Sequence, residues 1–202
     1  MTKIKLCGLR RPEDILAANE LKPDYIGFVF APKSRRAVTP EQALSLRALL
    51  SPGIHAVGVF VDAPPEDIAE LVRRGVLDTV QLHGREDAAY IARLRALTDA
   101  PVMQAFQVRG EADIARAESS PADLVLLDAG AGEGKAFDWT LLPHVRRPYL
   151  LAGGLTPENA AEAVGSLHPF GLDVSSGIET DGVKDPKKMR AFVDAVRGRK
   201  NP

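Results

Sequence analysis

Short apolar runs alternate with amphipathic stretches along the chain. Each run is rich in aliphatic and β-branched residues and has the length of a buried strand. The stretches between the runs repeat apolar residues every three or four positions, which is typical of helices with one buried face. The pattern predicts strands at residues 4–6, 25–30, 55–61, 79–82, 101–108, 123–128, 149–152 and 172–175.

Helical stretches follow these strands in alternation. Several begin at a proline with acidic residues behind it, as in Pro12-Glu13-Asp14 and Pro40-Glu41, which is a favoured start of a helix. Further helices are predicted after residue 64, from 88 to 97, at 112–117, at 139–145 and after residue 158. The last helix follows Asp185-Pro186 and carries one apolar face, made of Met189, Phe192, Val193 and Val196.

Eight strand–helix pairs predict a closed (β/α)₈ barrel. The near-continuous apolar strands fit a parallel sheet that is covered on both faces. We expect a single catalytic domain over residues 1–202, near the minimal length for a fold that usually takes about 250 residues. The alternative is an open doubly wound sheet, which would more often have fewer strands and an early glycine-rich nucleotide turn. Neither GxGxxG nor GxxxxGK[ST] occurs in the chain.

Composition narrows the class of protein. The 27 acidic and 26 basic residues give a net charge of −1, which argues against a nucleic-acid binder with a large basic surface. No run approaches the roughly 20 apolar residues of a membrane span. Cys7 is the one cysteine and has no internal disulfide partner. We therefore expect a soluble, cytoplasmic protein that binds neither nucleic acid nor a membrane.

The barrel interpretation places the chemistry at the carboxyl ends of the strands. Polar residues concentrate there, and a thiol, carboxylates and guanidinium groups around one mouth could supply a base, an acid and an anion clamp. The residues at these ends are Cys7-Gly8, Ser34-Arg35-Arg36, Asp62, His83-Gly84, Gln107, Asp128, Gly153-Gly154 and Ser175-Ser176-Gly177.

The last two of these segments predict a phosphate site. Gly153-Gly154 follows the seventh strand and Ser175-Ser176-Gly177 the eighth, where barrels often bind phosphate through backbone N–H groups. The alternative is that the glycines only form the turns between strand and helix. The third strand ends without a comparable glycine-rich loop at residues 61–65, so we expect one phosphate site rather than two.

An ordered set of short motifs spans nearly the whole chain. The segments are Lys5-Leu6-Cys7-Gly8-Leu9, Gly27-Phe28-Val29-Phe30, Ser34-Arg35-Arg36, Val80-Gln81-Leu82-His83-Gly84, Leu126-Leu127-Asp128, Leu151-Ala152-Gly153-Gly154-Leu155, residues 171–179, and Gly182, Lys184 and Asp185. This set resembles the phosphoribosylanthranilate isomerase family of tryptophan biosynthesis, and it departs from the usual family pattern at Leu6 and Arg35, where isoleucine and proline are usual.

The resemblance implies a cofactor-independent Amadori rearrangement of N-(5-phosphoribosyl)anthranilate to 1-(2-carboxyphenylamino)-1-deoxyribulose 5-phosphate. It implies Cys7 as the general base, Asp128 as the general acid and Arg36 as the contact to the anthranilate carboxylate, with Arg35 as the neighbouring candidate. The phosphate would lie against Gly153 and Gly154 and against the segment Ser175, Ser176 and Gly177.

Each of these roles has a structural alternative. A lone cysteine such as Cys7 is often a small buried apolar residue, and Asp128 could cap a helix or brace a loop. We expect His83 to support the site or contact substrate rather than act as the base. We expect Asp173 to orient the mouth or the phosphate loop, and a buried structural role fits its position equally well. No cluster has convincing metal-ligand spacing.

Two other functions stay open at this point. The analogous isomerase of histidine biosynthesis, or an enzyme of both substrates, shares the chemistry, but that family has aspartate in the place of Cys7 and holds two phosphates. A non-catalytic barrel that binds a phosphorylated ligand would bind substrate without converting it. We expect a small phosphorylated substrate, and a monomer, because no exposed apolar stretch is evident.

Overall fold

Eight parallel strands close into a barrel, in which β1 pairs with β2 on one side and with β8 on the other. The structure, a computed structural model, describes residues 1–128, 139, 142 and 145–198. The strands are β1 Lys3–Cys7, β2 Tyr25–Val29, β3 His55–Phe60, β4 Thr79–Leu82, β5 Val102–Gln107, β6 Leu124–Asp128, β7 Tyr149–Ala152 and β8 Gly171–Val174. The predicted (β/α)₈ barrel is confirmed, and the open doubly wound sheet is wrong.

Burial explains why the strands read as apolar runs. All four residues of β4, β7 and β8 are buried, because side chains fill the barrel on one face and helices cover the other. Alternate side chains of a strand point to opposite faces. Residues two apart on β1, such as Lys5 and Cys7, therefore share the inner side of the barrel.

The helices begin where the sequence signals predicted. Four of them have proline at the first helical position, and the apolar face predicted for the last helix is buried against the barrel. The short fifth helix is confirmed. The helices of the described residues are α1 Pro12–Leu21, α2 Pro40–Arg47, α3 Pro65–Arg73, α4 Ala88–Arg95, α5 Glu111–Glu118, α6 Ala160–Leu167 and α7 Pro186–Arg197. The helix predicted at 139–145 lies for the most part outside the described residues.

A small hairpin after β8 was not predicted. A 3₁₀ turn at Ser176–Ile178 leads into β9 Glu179–Thr180, which pairs in antiparallel fashion with β10 Val183–Lys184. The turn residues between these strands, Asp181 and Gly182, both have positive φ, at 52° and 76°. Asp-Gly is a favoured pair for such a turn, but strands of two residues are too short to show a hydrophobic period.

Candidate active site

A cavity of about 400 Å³ opens at the carboxyl ends of the strands. It brings together nine of the ten site residues that the sequence predicted, and Gly177 is the one outside its lining. The nine are Cys7, Arg36, His83, Asp128, Gly153, Gly154, Asp173, Ser175 and Ser176. A larger groove of about 520 Å³ lies between α2 and α3, against Phe30 and Phe60, and none of the predicted site residues lines it.

Cys7 ends β1 at the floor of this cavity and is 7% exposed. Gly27 of β2 makes room for it, because a Cβ at Gly27 would lie 2.7 Å from the Cys7 Sγ. Burial raises the pKa of the Cys7 thiol above its ordinary value, whereas the positive charges of Lys5 and Lys184 act to lower it. The thiol is thus placed to meet a ligand in the cavity, and its charge state depends on these cations.

A buried ion pair lies directly below the thiol. Lys5, with no exposed side-chain surface, places its Nζ 3.0 Å from Oδ1 of Asp173 on the adjacent strand β8, where the two residues are register partners. Burial lowers the pKa of Lys5, but Asp173 and Cys7 outweigh that effect and the pKa is raised overall. Lys5 therefore carries its charge inside the barrel.

Arg36 lies over the other side of Cys7, in the segment between β2 and α2. Its guanidinium donates two hydrogen bonds to Glu179 of the hairpin, 2.6 Å from Nε to Oε1 and 2.9 Å from Nη2 to Oε2. Its stem passes Gly8, where φ is +79° and an added Cβ would lie 2.5 Å from the Arg36 Cδ. Glycine at position 8 is thus required both by the turn after β1 and by the arginine stem.

Three cationic side chains donate hydrogen bonds to the one buried carboxylate of Glu179. Besides Arg36, Lys184 of β10 donates from Nζ to Oε1 at 2.8 Å, and the more exposed Arg35 donates from Nη2 to Oε2 at 3.0 Å. Burial raises the pKa of Glu179, but the hydrogen bonds from Arg36 and Lys184 outweigh it and lower the pKa to about 2. The hairpin therefore fixes the arginine that faces the cavity.

His83 connects β4 to the proposed acid. Its Nε2 lies 3.5 Å from Oδ2 of Asp128, and its Nδ1 lies 3.1 Å from Nε2 of Gln81. The imidazole of His83 thus lies between the side-chain amide of Gln81 and the carboxylate of Asp128.

Two loops after β7 and β8 form the remaining wall. Gly153 and Gly154 have φ of 87° and 64°, a region that favours glycine, and no hydrogen bond among the described residues uses the N–H of Gly154. Gly177 lies behind the wall, since a Cβ there would be 1.9 Å from the carbonyl oxygen of Leu155. This contact packs the second loop against the first and sets their spacing.

Four residues at or below the mouth were not among the predicted site residues. They are Lys5, Gln81, Glu179 and Lys184. A signal existed for Lys5, because a charged residue interrupts an apolar strand two positions before Cys7 and so shares its side. A weaker signal existed for Glu179 and Lys184, which flank the Asp-Gly turn.

The described residues offer neither a membrane span nor a metal cluster. No helix in that part of the chain is long and apolar enough to cross a membrane. No group of three or more His, Cys, Asp or Glu side chains there is arranged to hold a metal ion.

The closed barrel with its polar side chains gathered at the mouth defines a (β/α)₈-barrel enzyme. A model of the N-(5'-phosphoribosyl)anthranilate (PRA) isomerase family matches residues 4–195. The chain belongs to this family.

Relatives with this name match over nearly their whole length. The N-(5'-phosphoribosyl)anthranilate isomerase of Thermoanaerobacter sp. (strain X514) is 43% identical over 205 residues, which cover 98% of this chain and 99% of the relative. That of Endomicrobium trichonymphae is 44% identical over 202 residues, with the same coverage of each chain, 98% and 99%.

Solved structures of the family superpose closely. Phosphoribosyl anthranilate isomerase from Thermotoga maritima matches with a TM-score of 0.91 at 38% identity, over 98% of this chain and 100% of that one. A second structure, with a TM-score of 0.88 and 36% identity over 98% of this chain and 100% of that one, is a complex with reduced 1-(o-carboxyphenylamino)-1-deoxyribulose 5-phosphate.

Proposed function

We propose that the chain carries out the isomerase reaction of its family with Cys7 as the general base and Asp128 as the general acid. The reaction converts N-(5-phosphoribosyl)anthranilate to 1-(2-carboxyphenylamino)-1-deoxyribulose 5-phosphate in tryptophan biosynthesis. The observation that carries the residue assignment is the convergence of both side chains on one cavity, together with Arg36 and the loops after β7 and β8. An acid, a base and two anion contacts are the groups that this substrate requires.

The proposed chemistry has two proton transfers. Asp128 in its protonated form donates to the ribose ring oxygen, the bond from that oxygen to C1 breaks, and an iminium ion forms. The thiolate of Cys7 then removes the proton from C2, and the electron pair of that bond moves to give the neutral enol amine. The enol amine tautomerises to the ketone product, so no electrons leave the substrate and the reaction requires no redox cofactor.

The two anionic ends of the substrate fit opposite walls of the cavity. Arg36 would bind the anthranilate carboxylate, because guanidinium–carboxylate hydrogen bonds are strong and directional. The backbone of Gly153, Gly154 and Ser176 would bind the phosphate, with Ser175 and Gly177 completing that loop. The choice of Arg36 over Arg35 is supported by exposure, since the Arg36 side chain is 20% exposed and lines the cavity while that of Arg35 is 64% exposed.

His83 and Asp173 take supporting roles in this proposal. The Gln81–His83–Asp128 chain of contacts would hold the carboxylate of Asp128 in one orientation toward the ring oxygen. Asp173 lies on β8, the strand that leads into the phosphate loop, and its ion pair with Lys5 would hold the end of that strand against β1.

The residue at position 7 separates this proposal from the histidine-pathway isomerase. That enzyme has a carboxylate where Cys7 stands, and its substrate has two phosphates. The loop after β3 has Asp62 at φ 50°, and its carboxylate accepts hydrogen bonds from the N–H and Nε of Arg85. This loop also lacks the glycine-rich pattern of the loops after β7 and β8, which favours the substrate with one phosphate.

We propose further that residues 1–202 form one catalytic domain and that the enzyme works in the cytoplasm.

We also propose that the enzyme is a monomer. In this it would differ from the phosphoribosylanthranilate isomerase of T. maritima, which is dimeric, although one of the matched structures is of monomers generated from that dimer. Size-exclusion chromatography with light scattering tests the assembly, and a mass of twice 21.7 kDa at every concentration would overturn the monomer.

The activity is tested with freshly generated phosphoribosylanthranilate, by following the loss of its fluorescence without added metal or cofactor. We expect conversion to the ribulose product. Binding of the product without any conversion of substrate would identify a non-catalytic barrel and overturn the proposal. Conversion of the histidine-pathway substrate in the same preparation would identify an enzyme of both substrates.

A further inference from the structure

A lysine inside the barrel has no role in the reaction as described so far. Lys5 is completely buried, and a buried ammonium group is stable only when it is paired and hydrogen-bonded. Its partner within the barrel is Asp173, at 3.0 Å. A neutral pair of similar volume would fill the same space at no loss of stability, so packing alone does not account for a charge at this position.

Lys5 also lies near the thiol. Residues 5 and 7 lie on the same side of β1, both are buried, and the positive charge of Lys5 acts on the thiol of Cys7. A positive charge close to a thiol favours its anionic form. Since the ammonium lies out of solvent, water screens this effect little.

We propose that Lys5 is a positioning residue that stabilises the thiolate of Cys7, and that Asp173 holds Lys5 in place for this purpose. The inference rests on the proposed role of Cys7 as the base. In this arrangement the thiolate takes the C2 proton and becomes a thiol, and Lys5 keeps its own protons throughout. The thiol returns its proton to solvent between turnovers.

Other charged groups lie near the thiol, and their geometry gives them other tasks. Lys184 and Arg36 face Cys7 from the hairpin and from the loop after β2, and both donate hydrogen bonds to Glu179, which fixes their positions. Asp173 acts against the thiolate, and its own pairing with Lys5 limits this effect. His83 and Asp128 face the cavity from β4 and β6. Lys5 is the cation that lies on the same strand as the thiol, on the same side of that strand and with no exposed surface.

The single cysteine makes this inference directly measurable. The thiolate absorbs in the ultraviolet where the thiol does not, so a pH titration of this absorbance reports Cys7 alone, with Cys7→Ala as the blank. We expect Lys5→Met to raise the midpoint by about one pH unit or more. The rising limb of kcat/KM against pH should move by the same amount, which corresponds to a loss of about tenfold below the midpoint.

Lys3→Met is the matched control. Lys3 lies on the same strand and also pairs with an aspartate, Asp24, at 2.7 Å, but it lies at the opposite end of β1 with 44% of its side chain exposed. Its replacement should leave the thiol midpoint in place. A shift equal to that of Lys5→Met would mean that the overall charge of the barrel matters and would overturn the proposal.

The double variant Lys5→Met/Asp173→Asn covers the case in which Lys5→Met does not fold, because it leaves no unpaired buried charge. Its thiol midpoint should also be raised, by less than in the single variant, since Asp173 no longer opposes the thiolate. A folded single or double variant with the wild-type midpoint would overturn the role of Lys5. That result would not affect the role of Cys7 as the base. The role of Cys7 would be overturned by a different observation, namely retained turnover in Cys7→Ala.

Discussion

Arg36 and Glu179 form a two-point pair that fixes the guanidinium before any substrate arrives. The carboxylate accepts from Nε at 2.6 Å and from Nη2 at 2.9 Å, and no hydrogen bond among the described residues uses Nη1. Because the guanidinium is planar, two bonds on one edge set the direction of the other donors. Glu179 is itself fixed by Lys184 on the paired strand.

The first prediction concerns this arginine. Arg36→Ala should lower kcat/KM by about 10- to 100-fold, because a hydrogen bond to a charged group contributes about 1.5–3 kcal/mol. The variant should fold, since Lys184 and Arg35 still neutralise Glu179. The measurement is steady-state kinetics with the normal substrate and with an analogue that lacks the carboxylate. The kcat/KM for the analogue should be nearly the same in Arg36→Ala as in the wild type.

Arg35→Ala serves as the comparison for Arg36→Ala. Arg35 has one hydrogen bond to Glu179 and a side chain that is mostly exposed, so its loss should change kcat/KM little. If Arg35→Ala showed the large effect and Arg36→Ala did not, the two arginines would have exchanged roles.

A second prediction follows from the lowered pKa of Glu179. A carboxyl whose pKa falls from 4.5 in the unfolded chain to about 2 in the fold stabilises the protein above pH 4.5, and this contribution is lost as the pH falls toward 2. The full shift corresponds to about 3 kcal/mol, which solvent at the mouth screens to on the order of 1–2 kcal/mol. Urea unfolding between pH 7 and pH 3 should show this loss in the wild type and a flatter profile in Glu179→Gln.

The exposed pair of Glu20 and Arg190 provides a control for that experiment. Its atoms lie 2.8 Å apart, but the two side chains are 69% and 55% exposed, and exposed pairs contribute little. Glu20→Gln should leave the pH profile of the unfolding free energy unchanged. An equal flattening in Glu20→Gln and Glu179→Gln would show that the slope reflects net charge rather than the buried cluster.

Periodicity predicted the barrel because most strand residues are buried on both faces, whereas each helix buries one face. Strands therefore appear as continuous apolar runs and helices as apolar residues every three or four positions. The mouth residues followed from topology, since parallel strands bring all their carboxyl ends to one rim. The cluster at Glu179 could not be predicted in this way. Arg36 and Glu179 are 143 positions apart along the chain. The hairpin that contains Glu179 is too short to show a hydrophobic period.

Lys5 shows a different limit of the sequence. The position of Lys5, two residues before Cys7, indicates that the two share a side of β1, but the apolar neighbours of Lys5 do not reveal its partner. The partner, Asp173, lies 168 positions away on the strand that closes the barrel against β1. Barrel closure brings the two charges together, and closure follows from the count of eight strands rather than from the residues around Lys5.

A third prediction concerns the spacing of the two glycine loops. Gly177→Ala should destabilise the protein and weaken phosphate binding, because the added Cβ would lie 1.9 Å from the backbone oxygen of Leu155 and the loops must move apart.

Gly165→Ala is the control, since Gly165 lies in α6 with nothing within 4 Å of an added Cβ. It should stabilise the protein by about 0.5–1 kcal/mol. Thermal unfolding and calorimetric titration with inorganic phosphate measure both effects, and unchanged phosphate affinity in Gly177→Ala would contradict the proposed loop.

The last prediction is the acid–base pair itself. Cys7→Ala and Asp128→Asn should each lower kcat by on the order of 10²–10⁴-fold, the usual loss for a positioned acid or base. Product affinity should change far less, because Arg36 and the phosphate loops remain. Asp123→Asn provides the control on β6, since Asp123 adjoins the opposite end of that strand, where it pairs with Arg95 at 3.0 Å. A near-wild-type kcat in Cys7→Ala would show that the thiol only packs in the core. His83 or Asp173 would then be the candidate for the base. Unchanged turnover in Asp128→Asn would remove the proposed acid, because an amide has no acidic proton to give to the ring oxygen.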